Sequence, residues 1–185
     1  MIIAVLDACV LYPAPVRDYL LTLADEKIYS PKWSKEINEE WVRNLLLNRP
    51  ELSKSKLKKT VHSMNAAFPK ANVAQDEFLI NLLILPDLND RHVLATAIQS
   101  EAERIITSNL KDFPPNYTKH FKTDIQHPDQ FISDLLQAHP VASMIALKKQ
   151  VSRLKNPPME VEDVLNSLQK CGLVKTVQLL KKMGI

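Results

Sequence analysis

Short, wholly apolar runs alternate along this chain with longer segments whose apolar residues recur at helical spacing. The first run, residues 2–6, is rich in β-branched side chains and shows no polar alternation, which is typical of a strand buried on both faces of a parallel sheet. The alternation predicts an α/β fold with a mainly parallel sheet between layers of helices. Further strands are predicted at 27–30, 84–85, 104–107 and 123–126, helices at 16–24, 34–47, 53–68, 90–102 and 128–137, and residues 76–83 fit either element.

A division of the chain is expected after residue 138, just before Pro140. Beyond it the pattern predicts three short helices, at 141–155, 160–171 and 173–183. Residues 141–185 hold 8 Lys and Arg against 3 Asp and Glu, although the whole chain has a formal charge of only +3. We therefore predict a main domain over 1–138 and a basic helical C-terminal extension over 139–185.

Several functional classes are disfavoured by composition. Gly172 and Gly184 are the only two glycines, so the chain has neither a P-loop nor a dinucleotide-binding fingerprint. The five histidines show no zinc-ligand spacing. The first apolar run stops at Asp7, too early for a membrane span or signal sequence, and the two cysteines lie far apart in sequence. A reducing, cytoplasmic environment is the expectation.

Acidic residues follow or precede the predicted strands at positions that can meet at one edge of the sheet. Asp7 comes directly after the first strand, Asp112 lies in the loop after residues 104–107, and Asp90 begins the helix before that strand. Glu40 lies within a helix and joins them only if that helix packs suitably. Clustered carboxylates raise one another's pKa unless a hard cation such as Mg²⁺ or Mn²⁺ offsets them. Taken singly, each acid is better explained as a helix cap, a turn residue or a charge on a solvated helix face.

Four segments carry more specific patterns. They are residues 5–13 (Val-Leu-Asp-Ala-Cys-Val-Leu-Tyr-Pro), 34–40 (Ser-Lys-Glu-Ile-Asn-Glu-Glu), 87–97 (Asp-Leu-Asn-Asp-Arg-His-Val-Leu-Ala-Thr-Ala) and 106–114 (Ile-Thr-Ser-Asn-Leu-Lys-Asp-Phe-Pro). In this order they resemble the motifs of the PIN domain, and specifically of its VapC-like toxin branch in type II toxin–antitoxin systems. The resemblance covers most of residues 1–135.

The resemblance implies a three-layer α/β/α PIN-like sandwich and cleavage of RNA that depends on Mg²⁺ or Mn²⁺. Asp7, Asp90 and Asp112 match the metal-binding acids of the catalytic site, and Glu40 matches a further catalytic acid. Glu39 is the competitor for Glu40, whose spacing fits the family pattern better. Supporting positions match Thr107, Asn109, Asp87 and Ser34.

The resemblance also implies partners. The expected ones are an RNA substrate and a cognate antitoxin protein, with a homodimer expected by analogy and no membrane. Some larger VapC-like toxins have a similar C-terminal extension, and here Lys148, Lys149, Arg153 and Lys155 are candidates for contacts with RNA phosphates or with the antitoxin. A small helical subdomain with a solvated charged face is nevertheless the favoured interpretation of this segment.

One position departs from the family pattern. Many relatives have Asn two residues after the first acid, and this chain has Cys9 there. Loss of that amide is expected to alter the hydrogen bonds around the metal ligands, unless Cys9 is simply a small buried hydrophobe. A catalytically weakened PIN domain that binds RNA or protein is therefore the main alternative. A haloacid-dehalogenase-type phosphatase ranks lower, because it needs a second Asp at the position of Cys9.

Overall fold

The computed structural model describes residues 1–184 as a five-stranded parallel sheet flanked by helices, as predicted. The strand order is β3-β2-β1-β4-β5, and every neighbouring pair is parallel. The strands are β1 (Ile3–Leu6), β2 (Ser30–Ser34), β3 (Asn72–Val73), β4 (Arg104–Ile106) and β5 (Asp124–Gln126). Because each crossover between parallel strands needs a helix, the helices cover the faces of the sheet.

Eleven α-helices are assigned within residues 1–184, and none of these is long and apolar enough to cross a membrane. Those before β5 are α1 (Ala8–Leu11), α2 (Ala14–Asp25), α3 (Lys35–Asn48), α4 (Lys54–Ala67), α5 (Glu77–Leu82), α6 (Arg91–Gln99) and α7 (Pro115–Thr118). Those after it are α8 (Pro128–Ala138), α9 (Pro140–Arg153), α10 (Val161–Lys170) and α11 (Val174–Lys182).

The centre of the sheet is β1, which pairs with β2 on one side and β4 on the other. Ala4, Val5 and Leu6 are fully buried, which explains why this strand has no polar alternation. In β4, Ile105 and Ile106 are fully buried too. The apolar runs that predicted these two strands therefore form the middle of the hydrophobic core.

The structure corrects several details of the predicted elements. The second strand begins at Ser30 instead of residue 27, because Lys27 has a φ of 59° and turns the chain after α2. Residues 84–85 lie outside the sheet, and Ile84 is 69% exposed. The ambiguous residues 76–83 form a helix, α5, over Glu77–Leu82, with Asp76 and Leu83 as its caps. The short β3 was not predicted, because its two residues, Asn72 and Val73, form no apolar run.

The C-terminal helices pack directly on the sheet's own helices. Helix α9 lies against α2, where the Tyr19 hydroxyl donates to the Ser143 carbonyl at 3.3 Å and the Gln150 amide donates to the Pro15 carbonyl at 3.1 Å. Helix α11 lies against α8. These contacts join residues on either side of the predicted division, and independent folding of 1–138 and 139–185 stays a prediction.

The start of α11 is held by an acid from α8. The two carboxylate oxygens of Asp129 accept from the backbone N–H groups of Lys175 at 2.9 Å and Thr176 at 2.8 Å. The first N–H groups of a helix have no partner within the helix, and a carboxylate there also interacts favourably with the helix dipole. Asp129 therefore caps a helix that is distant in sequence.

Replacing Asp129 with Ala is expected to lower the free energy of unfolding by about 1 kcal/mol, because two N–H donors lose their partner. Urea denaturation followed by circular dichroism measures the change. Asp134→Ala on the same helix is the matched control, because Asp134 accepts only from the side chains of Gln126 and Gln130 at the exposed surface. Equal stability of the two variants would contradict the capping role.

Candidate functional site

The register of the two central strands brings Asp7 and Thr107 together. Leu6 lies opposite Ile106, so the next residue of each strand emerges at the same carboxyl edge of the sheet. The Asp7 N–H donates to the Ile106 carbonyl at 3.1 Å, and the Thr107 hydroxyl donates to Asp7 Oδ2 at 2.7 Å. The predicted proximity of the first strand's acid and the loop after β4 is therefore present.

Asp7 is nearly buried, with 4% of its surface exposed. Its Oδ1 accepts from the N–H of Ala8 at 2.6 Å and so caps α1. Burial raises the pKa of Asp7, and the charge of Glu40 adds to this rise, while the hydrogen bonds from Thr107 and Cys9 oppose it. The carboxylate is thus in a setting where nearby positive charge would stabilise its ionised form.

Cys9 is part of this hydrogen-bonded group and not only a small hydrophobe. Its Sγ donates to Asp7 Oδ2 at 3.1 Å, lies 3.4 Å from Thr107 Oγ1 and accepts from the N–H of Ser108 at 3.3 Å. Burial, and then the charge of Asp7, raise the pKa of Cys9 to about 12. The sulfur is therefore a protonated thiol at neutral pH and can act as a donor.

Asp90 is the residue that links the acids to one another. It ends the 3-10 turn Leu88–Asp90, directly before α6. Burial raises its pKa to about 7, and the negative charges of Asp7, Asp87, Asp112 and Glu40 each contribute to the rise. Since one carboxylate responds to four others, all five share one region of negative potential at this edge of the sheet.

Glu40 reaches the same region because α3 packs against α6. Its Oε2 lies 3.4 Å from Nε2 of His92, which follows Asp90 by two residues. Burial lowers the pKa of His92, but the contact with Glu40, the Asn89 carbonyl and the charge of Asp7 together raise it, so the net pKa lies above the ordinary value. Periodicity could not predict this contact, because it depends on the packing of two helices.

Comparison with known proteins gives the family. The family profile of the PIN domain matches residues 4–111, more than half of the chain. The chain belongs to the PIN-domain family. The VapC50 C-terminal domain matches residues 128–182. No solved structure shows a significant match to this chain.

A curated relative of this chain also bears the name VapC50. The protein named "Putative ribonuclease VapC50", from Mycobacterium tuberculosis strain H37Rv, is 37% identical over 79 residues, which are 43% of this chain. The match spans 47% of that relative, so the chain covers about half of its length. The resemblance to a PIN domain of the VapC type is thus confirmed, and the phosphatase alternative no longer has support.

The supporting residues of this PIN domain differ in what they contact. Thr107 bonds to Asp7, whereas Ser34 caps α3 by accepting from the N–H of Ile37 at 3.2 Å. Asp87 accepts from the N–H of Asn89 at 2.8 Å. Asn109 contributes its backbone N–H, which donates to Thr107 Oγ1 at 3.0 Å. Ser34 and Asp87 are therefore helix caps, and Asp87 also adds negative charge near Asp90.

The basic residues of the C-terminal helices lie elsewhere. Lys149 contacts Asp25 and Glu26, and Arg153 contacts Asp25 at 3.3 Å. These acids are at the end of α2, which runs from the carboxyl end of β1 back to the start of β2. Lys149 and Arg153 therefore lie near the amino-terminal edge of the sheet, opposite the carboxyl edge where Asp7 lies. Lys148 and Lys155 are exposed. Contacts of these four residues with RNA or antitoxin stay a prediction.

The donor set of this PIN domain suits a hard divalent cation. Within residues 1–184, no three Asp, Glu, His or Cys side chains stand close enough to form a ready-made metal cage. Mg²⁺ does not require one, because it keeps several waters and binds through one or two carboxylates. The raised pKa of Asp90 among its acidic neighbours indicates charge repulsion that such a cation would relieve.

The pKa of Asp90 predicts how the metal-free protein responds to pH. Because the pKa is about 7 when folded and about 3.9 in an unfolded chain, the folded state holds the extra proton and loses stability as pH rises from about 4 through 7. Asp90→Asn removes the charge. We expect it to raise the melting temperature by a few degrees at pH 8, corresponding to about 1 kcal/mol after solvent screening, and to change little at pH 4.

Differential scanning fluorimetry in chelator at the two pH values measures this effect. Asp134→Asn, a surface substitution on α8, is the control and is expected to melt like the unsubstituted protein at both. A lower melting temperature for Asp90→Asn at pH 8 would contradict the repulsion among the acids.

Proposed function

We propose that this protein is a metal-dependent endoribonuclease that hydrolyses RNA phosphodiester bonds as the toxin of a toxin–antitoxin module. The observation that supports it best is the pKa of Asp90, raised to about 7 by burial and by four neighbouring acids. Such a concentration of carboxylates at the carboxyl edge of a parallel sheet destabilises the protein unless it serves a cation. The PIN-domain family and the printed name of the relative agree with nuclease chemistry.

Asp7 and Asp90 would hold Mg²⁺ or Mn²⁺ directly, and Asp112 would add negative charge beside them. When bound, the cation supplies a Lewis acid for the phosphate and lowers the pKa of a coordinated water. Asp7 presents a carboxylate fixed by Thr107 and Cys9, so its orientation changes little when a ligand arrives. Asp90 lies directly before α6, and Asp112 ends the short 3-10 turn Leu110–Asp112 after β4. Three different segments thus contribute one acid each.

Glu40 is the proposed proton acceptor for the attacking water. It is 28% exposed, which leaves it in contact with solvent, and His92 Nε2 lies 3.4 Å from its Oε2. The histidine holds Glu40 on the side of Asp90 and offsets part of its charge. General base catalysis by a positioned carboxylate contributes about 10²- to 10⁴-fold to the rate.

Toxin activity implies partners in the cell. We propose that an antitoxin encoded beside this protein covers the acidic edge and blocks RNA, in the cytoplasm. Expression in bacteria with and without the neighbouring small open reading frame tests this. Growth arrest that the neighbour relieves supports the toxin function, and normal growth without it would argue against toxicity.

Asp7→Asn is expected to reduce Mn²⁺-dependent cleavage of RNA by at least about 100-fold. Mutating a residue that only orients a metal ligand lowers affinity or activity by up to about 100-fold, and loss of a direct ligand should lower it at least as much. Cleavage of a labelled RNA, followed on denaturing gels over a range of Mn²⁺ concentrations, measures the loss. Asp134→Asn makes the same change of charge at a residue that bonds to the side chains of Gln126 and Gln130, and it should cleave normally.

Two outcomes would redirect the proposal. Undiminished cleavage by Asp7→Asn would remove Asp7 from the active site. If the unsubstituted protein is stabilised by Mn²⁺ but leaves RNA intact, the chain is a PIN domain that binds without cutting. Cys9 was the sequence feature in favour of that alternative, and its hydrogen bond to Asp7 speaks against a complete loss of the interaction that an amide would make there.

Glu40 and Glu39 offer a matched pair on one helix. Glu40→Gln should lower the rate of cleavage by about 100-fold with little change in the RNA concentration needed, because the base is lost and the shape is kept. Glu39 is 61% exposed and lies 3.6 Å from Lys35, so Glu39→Gln should cleave normally. Single-turnover rates at saturating Mn²⁺ separate the two residues. A larger loss with Glu39→Gln would reverse their assignment.

A further inference from the structure

Cys9 connects the two loops that carry the central acids. It lies in α1, directly after β1, and its Sγ reaches Ser108 in the loop after β4, where the backbone N–H donates to the sulfur at 3.3 Å. The same sulfur donates to Asp7 Oδ2 at 3.1 Å. One side chain therefore ties the acid of the first strand to the segment that leads to Asp112.

Asp7 receives three hydrogen bonds on its two oxygens. Oδ1 accepts from the N–H of Ala8, and Oδ2 accepts from both the Thr107 hydroxyl and the Cys9 thiol. Thr107 is itself held by the N–H of Asn109. A carboxylate with donors on both oxygens cannot rotate freely, so the direction of its remaining lone pairs is set by these donors.

The sulfur of Cys9 is both a hydrogen-bond donor and an acceptor, two roles that an amide divides between its nitrogen and its oxygen. An Asn side chain offers a separate donor and acceptor, whereas Sγ donates to Asp7 and accepts from Ser108 at the same point. Sulfur is the weaker partner in both bonds. The hydrogen-bonding function of the position is thus retained in this chain with a lower strength.

We propose that Cys9 is a positioning residue that orients Asp7 and thereby sets the affinity of the site for a divalent cation. The inference rests on the proposed metal-dependent function. Residues that orient a metal ligand change metal affinity by about 10- to 100-fold when removed. Since a thiol bonds more weakly than an amide, the effect of removing Cys9 belongs at the lower end, about tenfold.

Binding of Mn²⁺ to the full chain without RNA, measured by isothermal titration calorimetry, tests the proposal independently of activity. Cys9→Ala should weaken Mn²⁺ binding by about tenfold, and Cys9→Asn should bind at least as tightly as the unsubstituted protein. Cys9→Val fills a similar volume but has no donor, so it should weaken Mn²⁺ binding by about tenfold as well. It replaces Cys9→Ala in this test if the alanine variant folds poorly. Cys171→Ala, the substitution at the other cysteine, should leave Mn²⁺ binding unchanged.

Cleavage assays add a second readout. With Cys9→Ala, the Mn²⁺ concentration for half-maximal cleavage should rise about tenfold while the rate at saturating Mn²⁺ stays near normal, because the ligands themselves remain. A merely structural role would instead lower the melting temperature in chelator and leave Mn²⁺ affinity unchanged.

The possible failures are distinguishable. Equal Mn²⁺ affinity of Cys9→Ala, Cys9→Val and the unsubstituted protein would overturn the role of Cys9 and leave the nuclease proposal intact. Equal weakening by Cys9→Asn and Cys9→Ala would also overturn it, because the amide should restore the bond. If Asp7→Asn binds Mn²⁺ as tightly as the unsubstituted protein, the proposed metal site itself fails, and the role of Cys9 with it.

Discussion

The pairing of β1 with β4 determines what can happen at the edge of this sheet. Both strands are buried on both faces, so a shift in their register would move a row of apolar side chains and is strongly disfavoured. That register places Asp7 beside Thr107, and the short loops that follow carry Cys9 and Asn109 into the same group. The hydrophobic core thus fixes a polar arrangement that has little stability of its own.

Electrostatic repulsion opposes this arrangement. Five acids share one region of potential around Asp90, and the folded chain tolerates them by holding a proton near neutral pH and by placing His92 against Glu40. Sites that are poorly satisfied in the free protein are common where binding supplies the missing interaction. The free energy that this repulsion costs is offset by burial of the hydrophobic core, which includes two fully buried tryptophans, Trp33 and Trp41.

The fold could be predicted from the sequence because buried parallel strands leave continuous apolar runs, as in β1 and β4. The nearness of Asp7, Asp90 and Asp112 also followed, since strand ends converge at one edge. Periodicity does not give the angle between α3 and α6, so the contact of Glu40 with His92 could not be derived from it. The hydrogen bonds of Cys9 could not be predicted either, because they depend on distances of a few ångströms to Ser108, which is 99 residues away in sequence.

The two cysteines differ in a way that is useful in the laboratory. Maleimides and disulfides react with thiolates, and the pKa of about 12 leaves Cys9 almost wholly as thiol. Cys171 follows α10 among the C-terminal helices and is half-buried; burial raises its pKa too, but no neighbouring acid adds to the rise as Asp7 does at Cys9. A fluorophore or spin label offered at neutral pH would therefore attach preferentially to Cys171, which provides a reporter on the C-terminal helices without chemistry at the acidic edge.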